Sequence, residues 1–185
     1  MNTKLASLFI VSILVFSSSF ANTSTVSASV SHYPKPVIPV HCNSVNGLPD
    51  PKCTPGATNP DVTQDNIQKT ICKPGFSKSI RPPVSYTEPL KKKLMKSYGF
   101  TDSLSNYELD HLIPVEVGGN PYDVKNLWPQ AHYGQAKSLE KDKYEVYLNK
   151  QVCSGTISLH EAQMEISTNW TQYFMPSQQT IQVLP

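Results

Sequence analysis

The sequence has little net charge, a single arginine and no long apolar segment. Its 185 residues carry a formal net charge of +2 at pH 7, and charged residues make up 16% of the chain. Overall charge therefore gives no indication of nucleic-acid binding. The longest apolar run, from Leu5 to Phe16, is too short to cross a membrane as a helix. Information about function must come from how particular residues are spaced.

The first residues have the features of a secretory signal. Lys4 precedes the apolar run, small residues follow it, and Ala21 and Ala28 each end a suitable cleavage sequence. Residues 1–28 are therefore predicted to be a signal peptide. The mature protein is predicted to be secreted or periplasmic, with no membrane anchor.

The rest of the chain is predicted to hold one domain. Seven prolines fall within residues 29–60, which predicts a linker or an extended lead-in tied down by disulfides. The domain is expected over residues 61–175, followed by a flexible tail over residues 176–185. We expect a monomer.

None of the four cysteines belongs to a close Cys-x-x-Cys pair, which is the spacing typical of zinc sites. In an oxidising compartment four cysteines usually form two disulfides, for which three pairings exist. We favour Cys42–Cys53 with Cys72–Cys153, because the second bridge would tie the start of the domain to the end of its central helix. The sequence leaves the other pairings open.

The charged residues are unevenly distributed. Residues 69–96 contain eight basic side chains and one acidic one, whereas residues 102–123 contain five acidic side chains and no Lys or Arg. A basic flank beside an acidic pocket suits a phosphate chain lying across a bound cation. The candidate substrate-binding residues are Lys91, Lys92 and Lys141. The alternative for these lysines is a solvated helix face.

Periodicity and capping residues predict three helices and two short strands. The first helix is expected from Thr87 to Gly99, with Thr87 as N-cap. The strands are expected over residues 110–117, interrupted by Pro114, and over residues 126–128. A helix over residues 134–151 should turn Leu139 and Val146 inward and expose Lys141. The last helix should begin at the capping box Ser158-x-x-Glu161 and run to about residue 174.

The stretch around which the domain is organised begins with Asp110-His111. An apolar run follows it, then Gly118-Gly119, and then Asn126-Leu127-Trp128. A carboxylate can hold a divalent cation, and an imidazole can take a proton near neutral pH. Because adjacent side chains of a strand point to opposite faces, the pair can divide these two tasks.

These residues resemble the HNH (His-Me finger) nuclease family. The resemblance covers residues 59–170 and includes the segments 62–64, 81–87 and 126–129. It implies an α+β protein with a ββα-metal core, here surrounded by helices and stapled by disulfides. By the same resemblance, His111 would be the general base, Asp110 the first metal ligand, and Asn126 the residue that ties the strands together.

The resemblance leaves two candidates for the second metal ligand. The family places His or Asn nine residues after the motif asparagine, where this chain has Gln135, and His132 is the alternative. Such a donor set favours one Mg²⁺ or Mn²⁺ ion over Zn²⁺. Arg81 suits either a bidentate phosphate contact in the catalytic site or a structural salt bridge.

The sequence thus predicts a secreted, metal-dependent endonuclease that hydrolyses phosphodiester bonds of DNA, or of RNA, with low sequence specificity. The alternative is a module of the same fold with an impaired site, which binds nucleic acid or another anion without cleaving it. A purely structural exported domain is a third reading. Nucleic acid is the expected partner, and an inhibitor protein is left open.

Overall fold

The computed structural model describes residues 33, 35–134 and 136–174. The predicted signal peptide and the predicted tail at 176–185 lie outside the described residues, as does Gln135. The described part is mixed α and β, with a small two-stranded sheet and four α-helices. None of its helices is long and apolar enough to span a membrane. The helices are α1 (Phe76–Ile80), α2 (Val84–Ser97), α3 (Ser138–Cys153) and α4 (Leu159–Phe174).

The sheet consists of β1 (Tyr107–His111) and β2 (Leu127–Ala131), which run antiparallel. Asp110 pairs with Trp128, so the motif aspartate and the motif tryptophan face each other across the ladder. Both strands differ from the prediction: β1 ends at His111, and β2 continues through Pro129. Proline is tolerated because each strand of a two-stranded sheet has an unpaired edge.

A loop of short 3-10 turns joins the two strands, where the prediction had extended β1. Val115–Val117 and Val124–Asn126 are 3-10 helices, with Gly118 in the left-handed conformation between them at φ 76°. Further 3-10 helices occupy Gln64–Lys69 and Leu104–Asn106. Pro114 is extended and precedes the first turn of the loop, which is consistent with the limits that proline places on the backbone.

Helix α2 covers one side of the sheet. Leu90 and Leu94 pack against Leu127 and Val124 in one buried cluster. The helix begins at Val84, three residues before the predicted cap at Thr87, because Pro83 in an extended conformation serves as its N-cap. It ends at Ser97, and Gly99 follows with φ 69°, which agrees with the predicted stop.

Helix α3 turns a different face inward from the one predicted. Leu139 and Val146 are exposed to 57% and 52%, whereas Lys141 is fully buried. The buried residues of the helix recur at spacings of three and four. They are Ser138, Lys141, Tyr144, Glu145, Leu148 and Val152. The prediction failed because this buried face carries a lysine and a glutamate.

Helix α4 completes the larger core. The predicted capping box is present, with Glu161 N–H donating to Ser158 Oγ at 3.1 Å and Ser158 N–H donating to Glu161 Oε2 at 2.7 Å. The predicted apolar face is buried against α3 and the loop between the strands. Its residues are Leu159, Ala162, Ile166 and Trp170.

Both favoured disulfides are present, Cys42–Cys53 and Cys72–Cys153. The second joins the segment before α1 to the last residue of α3. The first lies in the proline-rich segment, which packs on the domain rather than forming a free linker. Buried Cys42 and Cys53 contact Tyr98 and Trp128, so the described part of residues 29–60 is a disulfide-tied lead-in.

Candidate functional site

Asp110 and His111 are the last two residues of β1, and both are buried. The alternation of the strand separates their side chains. Asp110 Oδ2 accepts the indole N–H of Trp128 at 3.3 Å and lies 2.8 Å from Lys141 Nζ. His111 Nε2 lies 3.1 Å from the carbonyl oxygen of Pro121. Each member of the pair therefore has its own anchors.

The His111 ring is held in one tautomer. A carbonyl oxygen can only accept a hydrogen bond, so Nε2 carries the ring proton and donates a hydrogen bond to the Pro121 carbonyl. Burial lowers the pKa of His111, and this effect exceeds the opposing effects of Asp110 and of the Pro121 carbonyl. The imidazole is therefore neutral at pH 7, with Nδ1 as its basic nitrogen.

Asn126 closes the loop that brings Pro121 to His111. Its side chain is fully buried, accepts the N–H of Ile113 at 2.9 Å and donates to the Ile113 carbonyl at 2.9 Å. It also donates to the carbonyl of Asn120 at 3.0 Å. One amide thus joins the segment that follows the Asp-His pair to the residue before Pro121.

Steric crowding in this loop explains why the second residue of the Gly-Gly pair must be glycine. A Cβ on Gly119 would lie 1.7 Å from the carbonyl oxygen of Ile113 and 2.9 Å from Asn126 Nδ2. Only glycine lets the backbone pass this close. The motif Gly-Gly and the motif asparagine therefore belong to a single packed arrangement.

Lys141 reaches from α3 to the end of β1. Its ammonium lies 2.7 Å from the backbone carbonyl of His111 and pairs with both Asp110 and Glu145. Burial alone would lower the pKa of Lys141, but the two carboxylates outweigh it and raise the pKa above the usual lysine value. Lys141 is therefore a buried cation. The prediction that it contacts substrate is wrong, because its side chain does not reach the surface.

Asp110 contributes to the raised pKa values of three nearby carboxylates. Burial raises the pKa of Glu108 to about 7, with further contributions from Asp110 and Asp142. Burial also raises the pKa of Asp142, with Asp110 as the next cause. Burial likewise raises the pKa of Glu145, against the opposing charge of Lys141. The charge of Asp110 therefore disfavours the ionised forms of Glu108, Asp142 and Glu145.

Arg81 forms a salt bridge with a partner that the sequence did not suggest. Its Nη2 lies 3.0 Å from each carboxylate oxygen of Glu116. The Arg81 side chain is 44% exposed, so the guanidinium also faces solvent. Of the two predicted roles, the structure contains the salt bridge, and a phosphate contact by the exposed donors stays a prediction.

His132, the alternative metal ligand, lies beyond the other end of the sheet. Its backbone N–H donates to Asn106 and its Nδ1 lies 2.9 Å from Ser138 Oγ. Asp110 is level with Trp128, so four residues of extended strand, about 13 Å, separate that level from His132. The structure therefore does not bring His132 to Asp110.

A divalent cation at this site would be held by the Asp110 carboxylate. In the described ranges, no group of three His, Cys, Asp or Glu side chains is placed to hold a metal. Mg²⁺ and Mn²⁺ suit such a site, because Mg²⁺ is commonly held by one or two carboxylates, substrate phosphate and water. Zn²⁺ usually takes three or four protein ligands. Both anchoring contacts of Asp110 fall on Oδ2, so Oδ1 is the oxygen that would face the ion.

The two candidate lysines of α2 differ from each other. Lys91 is buried, donates to the carbonyl of Tyr107 at 3.2 Å and pairs with Glu88, so it supports the sheet instead of binding substrate. Lys92 is exposed and stays a candidate for contact with phosphate.

A groove of about 540 Å³ borders the loop that carries Pro121. Its loop side is formed by Asn120 and Tyr122, and Tyr122 stacks on Tyr33 with ring centroids 5.0 Å apart. The charged residues that line the groove are Lys35, Lys52, Asp123 and Lys125. Lysines beside stacked aromatic rings suit a nucleic-acid strand. The groove was not predicted from the sequence, because Lys35 and Lys52 lie in the lead-in.

Sequence reasoning named Lys141 only as a substrate contact, and it missed Glu145 and the Pro121 carbonyl as parts of this site. The spacing of Lys141, Glu145, Leu148 and Val152 is the signal that would have placed the first two on the inner face of α3. Comparison of the chain with protein-family models, with curated proteins and with solved structures gave no match. The function must therefore be inferred from the geometry of these residues.

Proposed function

We propose that the protein is a metal-assisted phosphodiesterase of the HNH type that cleaves nucleic acid outside the cytoplasm. One observation carries the proposal: the His111 imidazole, with Nε2 on the Pro121 carbonyl, adjoins along β1 a carboxylate that is itself held by two donors. The two disulfides support export, because disulfides persist in oxidising compartments.

In this proposal His111 Nδ1 takes the proton from the attacking water. The neutral state is required for that step, and the lowered pKa of His111 maintains it at pH 7. The Pro121 carbonyl accepts a hydrogen bond from Nε2–H, so it fixes which nitrogen is basic and stabilises the imidazolium that forms. Water attacks phosphorus, the bond from phosphorus to the 3′ oxygen breaks, and the leaving oxygen takes a proton from solvent. The products would therefore carry 5′-phosphate and 3′-hydroxyl ends.

Asp110 Oδ1 would hold the divalent cation together with phosphate oxygens and water. The ion, when bound, supplies positive charge for the phosphate and for the leaving oxygen. Lys141 and Trp128 hold Oδ2, so the orientation of the carboxylate is set before substrate binds. The donor set is compatible with Mg²⁺ or Mn²⁺.

The groove beside Pro121 supports nucleic acid as the substrate. Lys35, Lys52 and Lys125 supply charge for the phosphate backbone, and Tyr122 with Tyr33 supplies an aromatic surface. Backbone contacts of this kind carry no base information. We therefore propose cleavage of DNA, or of RNA, with low sequence specificity.

A binding module without activity is the second candidate, and a specific observation favours it. The ammonium of Lys141 already compensates the charge of Asp110, and the described residues contain no three-ligand group. On this reading the chain would bind nucleic acid and leave it intact.

The experiment that separates the two uses labelled DNA and RNA oligonucleotides. Binding is measured by fluorescence anisotropy in EDTA, and cleavage is measured by gel in Mg²⁺, Mn²⁺ and Ca²⁺, with end-group analysis of the products. Metal-dependent cleavage that leaves 5′-phosphate ends supports the enzyme. Binding without cleavage in every metal supports the module.

The same experiment tests the groove. Lys52→Gln with Lys125→Gln should weaken binding and reduce the dependence of log K on log salt by about 0.7 to 0.9 for each lysine–phosphate interaction removed. Lys143→Gln is the matched control, because Lys143 is exposed on α3 and pairs with Glu140. An unchanged salt dependence in the double variant would exclude the groove as the binding surface.

A further inference from the structure

We infer that Lys141 is the positioning residue of the Asp110–His111 pair, and that Glu145 holds its ammonium in place. The inference rests on the proposed function, because it concerns how the proposed site is kept in its working geometry. The ammonium of Lys141 contacts the side chain of Asp110 and the backbone carbonyl of His111.

Three oxygens surround the ammonium. They are Asp110 Oδ2 at 2.8 Å, the carbonyl oxygen of His111 at 2.7 Å, and Glu145 Oε1. A lysine ammonium has three protons, so each proton has one acceptor. The side chain is fully buried, so it acts on the two residues around it and not on substrate directly.

The contact fixes the direction of the carboxylate. Trp128 Nε1 lies 3.3 Å from the same Oδ2 that receives Lys141. Two donors on one oxygen, from β2 and from α3, define the plane of the Asp110 carboxylate. Oδ1 is then held in a single direction. This lowers the entropy cost of ordering the carboxylate when a cation and a phosphate bind.

The arrangement is poorly explained by fold stability alone. Burying an ion pair costs desolvation, and well-packed apolar side chains in its place are often neutral or stabilising. The neighbouring lysine, Lys143, shows the ordinary alternative for this helix, an exposed pair with Glu140. The acceptors of Lys141 include both residues of the Asp-His pair, so the buried ammonium lies where it controls the site.

The test compares Lys141→Met, Glu145→Gln and the control Lys143→Met with the wild-type protein. Methionine keeps the unbranched shape without the charge, and glutamine keeps the shape of Glu145 while weakening its hold on the ammonium. Each variant is measured for melting temperature, for kcat and KM on a DNA oligonucleotide, and for Mn²⁺ affinity from the spectroscopic signal of free Mn²⁺.

Lys141→Met should lose about 10- to 100-fold in kcat or in Mn²⁺ affinity, the range found when partners of metal ligands are removed. KM should change by less than about twofold, because Lys141 does not contact substrate. Glu145→Gln should show a smaller loss of the same kind, and Lys143→Met should match the wild type.

A folded Lys141→Met protein with wild-type kcat, and with an Mn²⁺ affinity equal to or higher than that of the wild type, overturns the inference while the proposed function stands. If Lys141→Met does not fold, Glu145→Gln decides: wild-type kcat and Mn²⁺ affinity overturn the inference, and a loss in either supports it. If the wild type does not cleave, the proposed function fails, and Mn²⁺ affinity alone decides the role of Lys141. A wild type that neither cleaves nor binds Mn²⁺ overturns both.

Discussion

Replacing Asn126 with alanine should damage the site by loosening the loop that brings Pro121 to His111. The substitution removes the hydrogen-bond partner of four backbone groups: the N–H and the carbonyl of Ile113, the carbonyl of Asn120 and, at 3.4 Å, the N–H of Ala57. A buried polar group that loses its partner costs about 1–3 kcal/mol. We expect a decrease of about 3–5 kcal/mol in the free energy of unfolding, since some groups will recover a water.

The decrease can be measured as a change in melting temperature. For a chain of this size, 1 kcal/mol corresponds to about 2–4 °C, so Asn126→Ala should melt at least about 6 °C below the wild type. The cleavage rate should also fall in the protein that remains folded, because the loop that carries Pro121 holds the His111 ring. Circular dichroism gives the melting curve, and cleavage is assayed well below both melting temperatures.

Asn149→Ala is the matched control. Asn149 Nδ2 donates to the carbonyls of Glu116 at 2.7 Å and Ile71 at 3.3 Å. It therefore ties α3 to the first turn of the loop and to the segment before α1, whereas Asn126 ties Ile113 to Asn120. Asn149→Ala should lose stability but retain activity where it is folded. The prediction is refuted if Asn126→Ala melts within about 2 °C of the wild type, or if its activity falls no more than that of Asn149→Ala.

Two further predictions concern pH and the disulfides. The pKa of Glu108 is raised from 4.5 to about 7, so the folded protein keeps a proton that the unfolded chain loses, and stability should fall as pH rises from about 4.5 to 7. Glu108→Gln should flatten that fall in melting temperatures measured in EDTA; parallel curves for the two proteins would contradict it. The Cys72–Cys153 bridge closes a separation of 81 residues and Cys42–Cys53 one of 11. Replacing Cys72 and Cys153 with serine should cost about 4.5 kcal/mol, roughly 1.8 kcal/mol more than replacing Cys42 and Cys53. Equal losses in chemical denaturation would reject the loop-length argument.

The sequence was most informative at positions where the structure accepts only one type of residue. Gly119 and Asn126 fall in the predicted motif, and the structure shows why each type is needed there. The last helix followed from its capping box and its four apolar positions. The disulfide pairing was the favoured one of three.

The sequence was least informative where burial runs against residue type. Lys141 was assigned to solvent because lysine is rarely buried without partners. Its partners, Asp110 and Glu145, come from β1 and from the next turn of α3, and the contact with β1 depends on tertiary packing. The start of α2 was misplaced because Thr87 is a better cap by type than Pro83, although the extended conformation of Pro83 decides the observed start.

The most direct test of the proposed function is the rate at which the oxidised protein nicks supercoiled plasmid in Mn²⁺, compared with His111→Ala. We predict nicking that EDTA abolishes and that His111→Ala slows by about 10²- to 10⁴-fold, the contribution expected of a general base. Nicking at equal rates by the two proteins, or no nicking by the wild type in any divalent metal, would contradict it.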